Sequence, residues 1–213
     1  MKSWPLKKGL VILLFGILPL RAPASPQFFS DQGAFNAAIP GASFTTNLSS
    51  FPADQVVASP AAFSGNGLTV EALSTDTAEY ELYSFGNELT INPEGFSLVF
   101  TNFSSNVVAF GGTFFNLDNG GNLASGNIVL SALFADLSSM TTTNDVTSIS
   151  TFFGFVGSTN ILSLAVSGEA GLPASGQITL GAPVPEPTTS ALLVLSLGAL
   201  ACAAVCRRRR VIR

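Results

Sequence analysis

The middle of the chain is written in short apolar runs that alternate with polar residues and are soon broken by a turn cluster. Residues 67–73 read Gly-Leu-Thr-Val-Glu-Ala-Leu, a clean alternation, and residues 127–134, 161–166 and 177–180 repeat it more loosely. A period of two puts successive side chains on opposite faces of a strand. The interruptions are Ser-Gly-Asn-Gly at 64–67, Asn-Pro-Glu-Gly at 92–95 and Asp-Asn-Gly-Gly at 118–121. These are turn-forming residues with the backbone freedom that a chain reversal needs. One short helix is expected, opened by Ser30 or Asp31, running through Ala34, Phe35, Ala38 and Ile39, and stopped by Pro40-Gly41. The pattern predicts an all-β body over residues 25–183, an antiparallel β-sandwich, long enough for one domain with its own core.

Phenylalanine supports a large core. The chain has 18 Phe against 2 Tyr and 1 Trp. Phe96, Phe100, Phe110, Phe114, Phe115, Phe152, Phe153 and Phe155 lie in strand-like runs. Platforms that bind sugars favour Trp and Tyr, whose rings carry a polar handle. The one Trp, Trp4, stands in the leader. Plain Phe in strands is therefore read as core filling.

Charge is distributed in blocks. Lys2, Lys7, Lys8 and Arg21 lie at the start, and Arg207, Arg208, Arg209, Arg210 and Arg213 at the end. No Lys, Arg or His stands between Arg21 and Arg207, while all the acids fall there, from Asp31 to Glu186. A body without cations cannot hold a phosphate backbone by counterion release, so no nucleic-acid partner is expected. It also has no Ser-His-Asp or Cys-His pair, no Schiff-base lysine, no arginine clamp and no His-ligated zinc. Trypsin, which cuts after Lys or Arg, should leave residues 22–206 as one fragment even after denaturation. A ladder of smaller tryptic peptides on a gel would contradict that expectation.

The two ends read as addresses. MKSWPLKK is a positive n-region, residues 9–20 an apolar h-region, and Ala22-Pro23-Ala24 a small-residue cleavage site with the cut after Ala24. Residues 1–24 are thus expected to be a signal peptide; the competing reading is an uncleaved anchor. At the other end, residues 188–206 carry no charge and are rich in Leu, Ala and Val. At the helical rise they reach roughly 28 Å, about one hydrocarbon core. A single transmembrane helix is expected there, beginning after Pro187, because Pro185 and Pro187 do not fit a helix interior. Arg207, Arg208, Arg209 and Arg210 then act as the membrane stop, held inside by the positive-inside rule, with the body outside the cytoplasm. Cys202 and Cys206 both lie in this run, so the body has no disulfide.

The tripartite end, Val-Pro-Glu-Pro followed by one apolar run and an arginine cluster, closely resembles the PEP-CTERM sorting signal over residues 184–213, with Pro185, Glu186 and Pro187 as the defining triplet. The resemblance implies export from a Gram-negative cell, transient anchoring in the inner membrane, and processing near the triplet by the membrane peptidase exosortase. It implies delivery to the cell surface or release, in organisms that make exopolysaccharide and biofilm. The competing reading is an ordinary tail-anchored protein with a Pro-rich stalk. The body is also similar to a common ectodomain of these proteins, through residues 28–38, 107–116, 152–155 and 161–164. That resemblance implies a jelly-roll-like sandwich and no established activity. Two departures stand out: Thr45 stands where an acidic residue is expected after Phe44, taken to end the first strand, and Ala174-Ser-Gly-Gln177 stands where an Asp-Asp or Asp-Asn pair is expected before the last strand.

Two chemistries survive the absences. Glu79 and Glu81 flank Tyr80 at strand period, and paired carboxylates can serve glycoside hydrolysis. No aromatic subsites accompany them, so the expected reading is a solvated strand face and no catalytic residue. Asp118, with Asn116, Asn119 and Asn122, offers oxygen donors of the kind calcium takes. The same residues make ordinary hairpin turns. No other cofactor is expected. The sequence thus favours a non-enzymatic structural or interaction protein of biofilm or exopolysaccharide. A carbohydrate-binding module is the first alternative, and a carboxylate glycosidase the second.

Overall fold

The computed structural model describes residues 25–183, apart from 40, 49, 50, 53, 76–81, 87, 92–95 and 170. The expected signal peptide, Glu79, Glu81, the expected turn at 92–95 and everything from Val184 onward lie outside the described residues. No helix among them is long and apolar enough to cross a membrane.

The first strands are β1 (Gln27–Phe29), β2 (Ser43–Asn47), β3 (Gln55–Val57), β4 (Ala61–Gly65) and β5 (Leu68–Ser74). There follow β6 (Leu82–Phe85), β7 (Glu88–Ile91), β8 (Ser97–Thr101), β9 (Ala109–Leu117) and β10 (Leu123–Ala124). The chain closes with β11 (Gly126–Phe134), β12 (Ser139–Val146), β13 (Phe152–Val156), β14 (Ile161–Gly168) and β15 (Leu172–Gly181). The single helix among the described residues, α1 (Gln32–Ala38), starts at Asp31, whose side chain accepts the Ala34 N–H at 2.7 Å. Asp31 rather than Ser30 is the cap.

These strands form two antiparallel sheets. One has nine strands along the path β1-β13-β9-β15-β7-β6-β3, with β10 joined to β9 and β2 to β15. The other has six, ordered β12-β11-β14-β8-β5-β4. The chain crosses between sheets repeatedly, from β7 to β8, β8 to β9, β12 to β13, β13 to β14 and β14 to β15. This alternation gives the sandwich its jelly-roll-like character.

Phenylalanine seals the interface. Phe100 of β8 meets Phe110 of β9 across the sheets with ring centroids 4.9 Å apart, and Phe114 at 6.2 Å. Phe103 closes on Phe110 at 5.3 Å, edge to face. No described phenylalanine is exposed. Each fully buried ring contributes roughly 1.5–3 kcal/mol from water exclusion. A second cluster lies outside the nine-stranded sheet, where Phe35 of α1 packs with Phe152, Ala109 and Phe29. The bed beneath Phe35 is glycine: a Cβ on Gly111 would lie 3.0 Å from that ring and 2.7 Å from Phe152.

The expected strands at 67–73, 127–134 and 161–166 are β5, β11 and β14, and that at 177–180 is the second half of β15. The hairpin between β4 and β5 turns on Asn66 (φ 53°) and Gly67 (φ 76°), both left-handed, as a two-residue type I′ loop requires. Both departures from the ectodomain pattern stand elsewhere than expected. Phe44 is the second residue of β2, and Thr45 faces Thr179 with their hydroxyls 3.0 Å apart. Residues 174–177 lie within the last strand, where the register shifts between Ser175 and Gln177. That shift lets β7 pair with the first half of β15 and β2 with the second.

Candidate functional site: the tail junction and the Asp118 loop

The sorting tail leaves from β15, which is an interior strand. It is paired with β9 along its length and with β7 and then β2 on its other side. Its last residue and the next are both held: Val108 N–H donates to the Gly181 carbonyl at 3.0 Å and Ala182 N–H to the Ala42 carbonyl at 2.8 Å. Gly41 lies against Ala182 and Pro183 so closely that a Cβ there would stand 2.6 Å from the Pro183 carbonyl oxygen. The body is therefore ordered to the threshold of the tail. A pull on the tail loads a central strand in shear, across all its hydrogen bonds at once.

The register also places the other end of the body. Gln27 pairs with Val156, Val156 with Ala109, and Ala109 with Gly181. The start of β1 and the end of β15 therefore share one end of the sheet, three strand spacings or about 14 Å apart. The turn between β11 and β12 and the loop 157–160 lie at this same end, through Ala135 N–H to the Asn160 carbonyl and Gly157 N–H to the Val108 carbonyl.

The Asp118 loop is closed on itself. Asp118 Oδ1 accepts the backbone N–H groups of Gly120 and Asn122, each at 2.8 Å, and the Asn122 side-chain amide reaches both carboxylate oxygens at 3.3 Å. Asn122's backbone and side-chain N–H groups, with Gly120's, hold the Asp118 carboxyl below the ordinary aspartate range. Asn116 is not part of this arrangement. It is wholly buried, and its amide donates to the carbonyls of Gly126 and Asn127 at 3.3 and 3.1 Å. Its Oδ1 has no hydrogen-bond partner and faces Gly168. Asn116 and Asn122 thus do not bring oxygen donors to the Asp118 carboxylate. Asn122 presents nitrogen rather than oxygen, and Asn116 would have to leave the core, whereas calcium takes six to eight oxygens. No group of three or more acidic, Cys or His side chains able to hold a metal occurs among the described residues.

Asp136 builds a similar turn, accepting the Ser138 hydroxyl at 2.6 Å and its N–H at 3.0 Å, which lowers its pKa. Both carboxyls are depressed, so what they contribute is present above the ordinary aspartate pKa and lost as pH falls through the lowered value. Protection of the Gly120, Asn122 and Ser138 amides from exchange, measured against an open chain at the same pH, should fall on acidification below about pH 4. Asp118→Ala should abolish that step at Gly120 and Asn122 by opening the loop at every pH. Millimolar calcium should leave the melting temperature unchanged; a rise that vanishes in Asp118→Ala would put a cation in the loop.

The described part of the molecule is thus a cation-free β-sandwich with both ends at one pole and a firmly held exit strand. Residues 183–210 match the PEP-CTERM protein-sorting motif, which spans Pro185, Glu186, Pro187 and the four arginines and includes no residue before Pro183. The chain carries the sorting signal of an exported protein directed to exosortase. No curated protein and no solved structure matches it.

Proposed function

We propose that this chain is a structural or interaction protein of the cell surface or extracellular matrix. It is held at the inner membrane by residues 188–206 until exosortase cuts near Pro185, Glu186 and Pro187. The observation that carries this reading is the match at 183–210 immediately after a fully paired exit strand. The peptidase meets a short stretch beyond a rigid body, and the cut costs the fold nothing, because the core lies within residues 25–183. Both ends of the body at one pole support a single membrane-facing end. The remaining surface offers carboxylates only, including Asp54, Asp118, Asp136, Asp145 and Glu169. Such a surface suits an acidic exopolysaccharide through bridging divalent ions rather than through direct ion pairs.

Arg207, Arg208, Arg209 and Arg210 are the membrane stop in this account. Changing all four to Ser removes the positive-inside bias. Part of the population should then pass through the membrane and appear soluble with its tail uncut. Unchanged retention and processing would refute the assignment. Glycan arrays on the body test the interaction side, and saturable binding to a neutral sugar would instead favour a carbohydrate-binding module.

A further inference from the structure

We propose that β12 is a self-pairing edge and that it becomes usable only once the body is free of the membrane. Every sandwich of this kind has open edges, and proteins blunt them with short strands, lysines, prolines or bulges. Here β1 and β3 have three residues each, and β4 five. By contrast β12 has eight, Ser139–Val146, in unbroken register with β11 on one side and no described strand on the other. It contains no proline, and the body has no lysine to guard it.

The sequence of β12 suits a second copy of itself. Antiparallel pairing centred on Thr142 sets Thr141 opposite Thr143 of the second copy, Met140 opposite Asn144, and Ser139 opposite Asp145. Cross-strand Thr pairs are favourable, and like charges directly opposite are not. Asp145 is the one charged residue of the strand. The two-fold axis sends the two Asp145 side chains to opposite ends, about 20 Å apart and beyond the screening length at physiological salt. Each then meets a serine hydroxyl that can donate to it. Such a contact is isologous and closes as a dimer, whereas pairing β12 with β4 would leave edges open.

Geometry supplies the gate, which rests on the sorting reading above. The two-fold that joins antiparallel edges reverses the long axis of the second body, so the two Gly181 ends point in opposite directions. Copies tethered in one membrane point them the same way. From Pro183 to the apolar run at 188 the chain reaches at most about 18 Å, while the ten residues of β15 alone rise about 34 Å. The tether cannot span a reversed body. Cleavage at the triplet therefore also licenses the contact.

The test uses the body's lack of cysteine. The body, residues 25–183, should sediment as a dimer at high micromolar concentration. Thr141→Glu with Thr143→Glu should make it monomeric at an unchanged melting temperature. Thr142→Cys should give a covalent dimer on mild oxidation, at least tenfold faster than Ser64→Cys on the β4 edge. A monomeric body, or equal rates for the two cysteines, overturns the pairing. The gate is tested with the chain from Ser25 to Arg213 carrying Thr142→Cys, Cys202→Ala and Cys206→Ala, two copies to a nanodisc. Cross-linking should be lost there, and cross-linking as fast as in the free body overturns the gate. Neither arm uses the peptidase, so a failure of the sorting reading would show separately, as an uncut tail in cells.

Discussion

Replacing Pro185, Glu186 and Pro187 with alanine should leave export intact and abolish removal of the tail. The triplet stands outside the expected signal peptide, residues 1–24, and outside the apolar run at 188–206, so neither export nor anchoring should depend on it. It lies within the matched sorting motif and just past the last ordered hydrogen bond of the body, Ala182 to Ala42. The substitution therefore acts on processing alone, with an expected loss of tenfold or more in the released fraction. Immunoblots of membrane and external fractions read the result. Release of the alanine variant at the native rate would mean that the triplet is no part of the signal.

Phe110→Ala should be the most damaging single change within the body. Its ring touches Phe100, Phe103 and Phe114, and so joins the two sheets near the pole where β15 ends. Truncation of a fully buried phenylalanine costs roughly 3–5 kcal/mol through lost burial and the cavity left behind. For a domain of this size that lowers the melting temperature by about 10 °C or more. Phe28→Ala should cost less, because Phe28 is half-buried at the β1 edge, stacked on Phe153 at 6.0 Å. A thermal melt in which the two variants fall equally would contradict this placing of the core.

The sequence was legible where one face of a strand is wet. β5 and β11 alternate because one side meets the core and the other meets water. β9, β13 and the first half of β15 are buried almost throughout, on both faces, so no period of two marks them. The phenylalanines of β9 and β13 announced a core without fixing the bounds of its strands. β12 was missed for the opposite reason, since a run of threonines carries no apolar pattern at all. The tail was legible because its meaning is linear: proline, acid, apolar run and arginines act in chain order. Asn116 stands apart from the Asp118 loop because spacing along the chain does not say which way a side chain turns. Asn116 and Asp118 are two apart, yet one is wholly buried and the other exposed. Likewise, that both ends of the body share one pole follows only from the register through β13, β9 and β15.

The central claim is that this body leaves the membrane by a cut at its own tail. Intact-mass measurement of the native protein taken from the cell surface or medium tests it most directly. The account predicts a single species that begins at Ser25 and ends close to Pro185–Pro187, without the apolar run or the arginines. A surface species whose mass still includes residues 188–213 would contradict it.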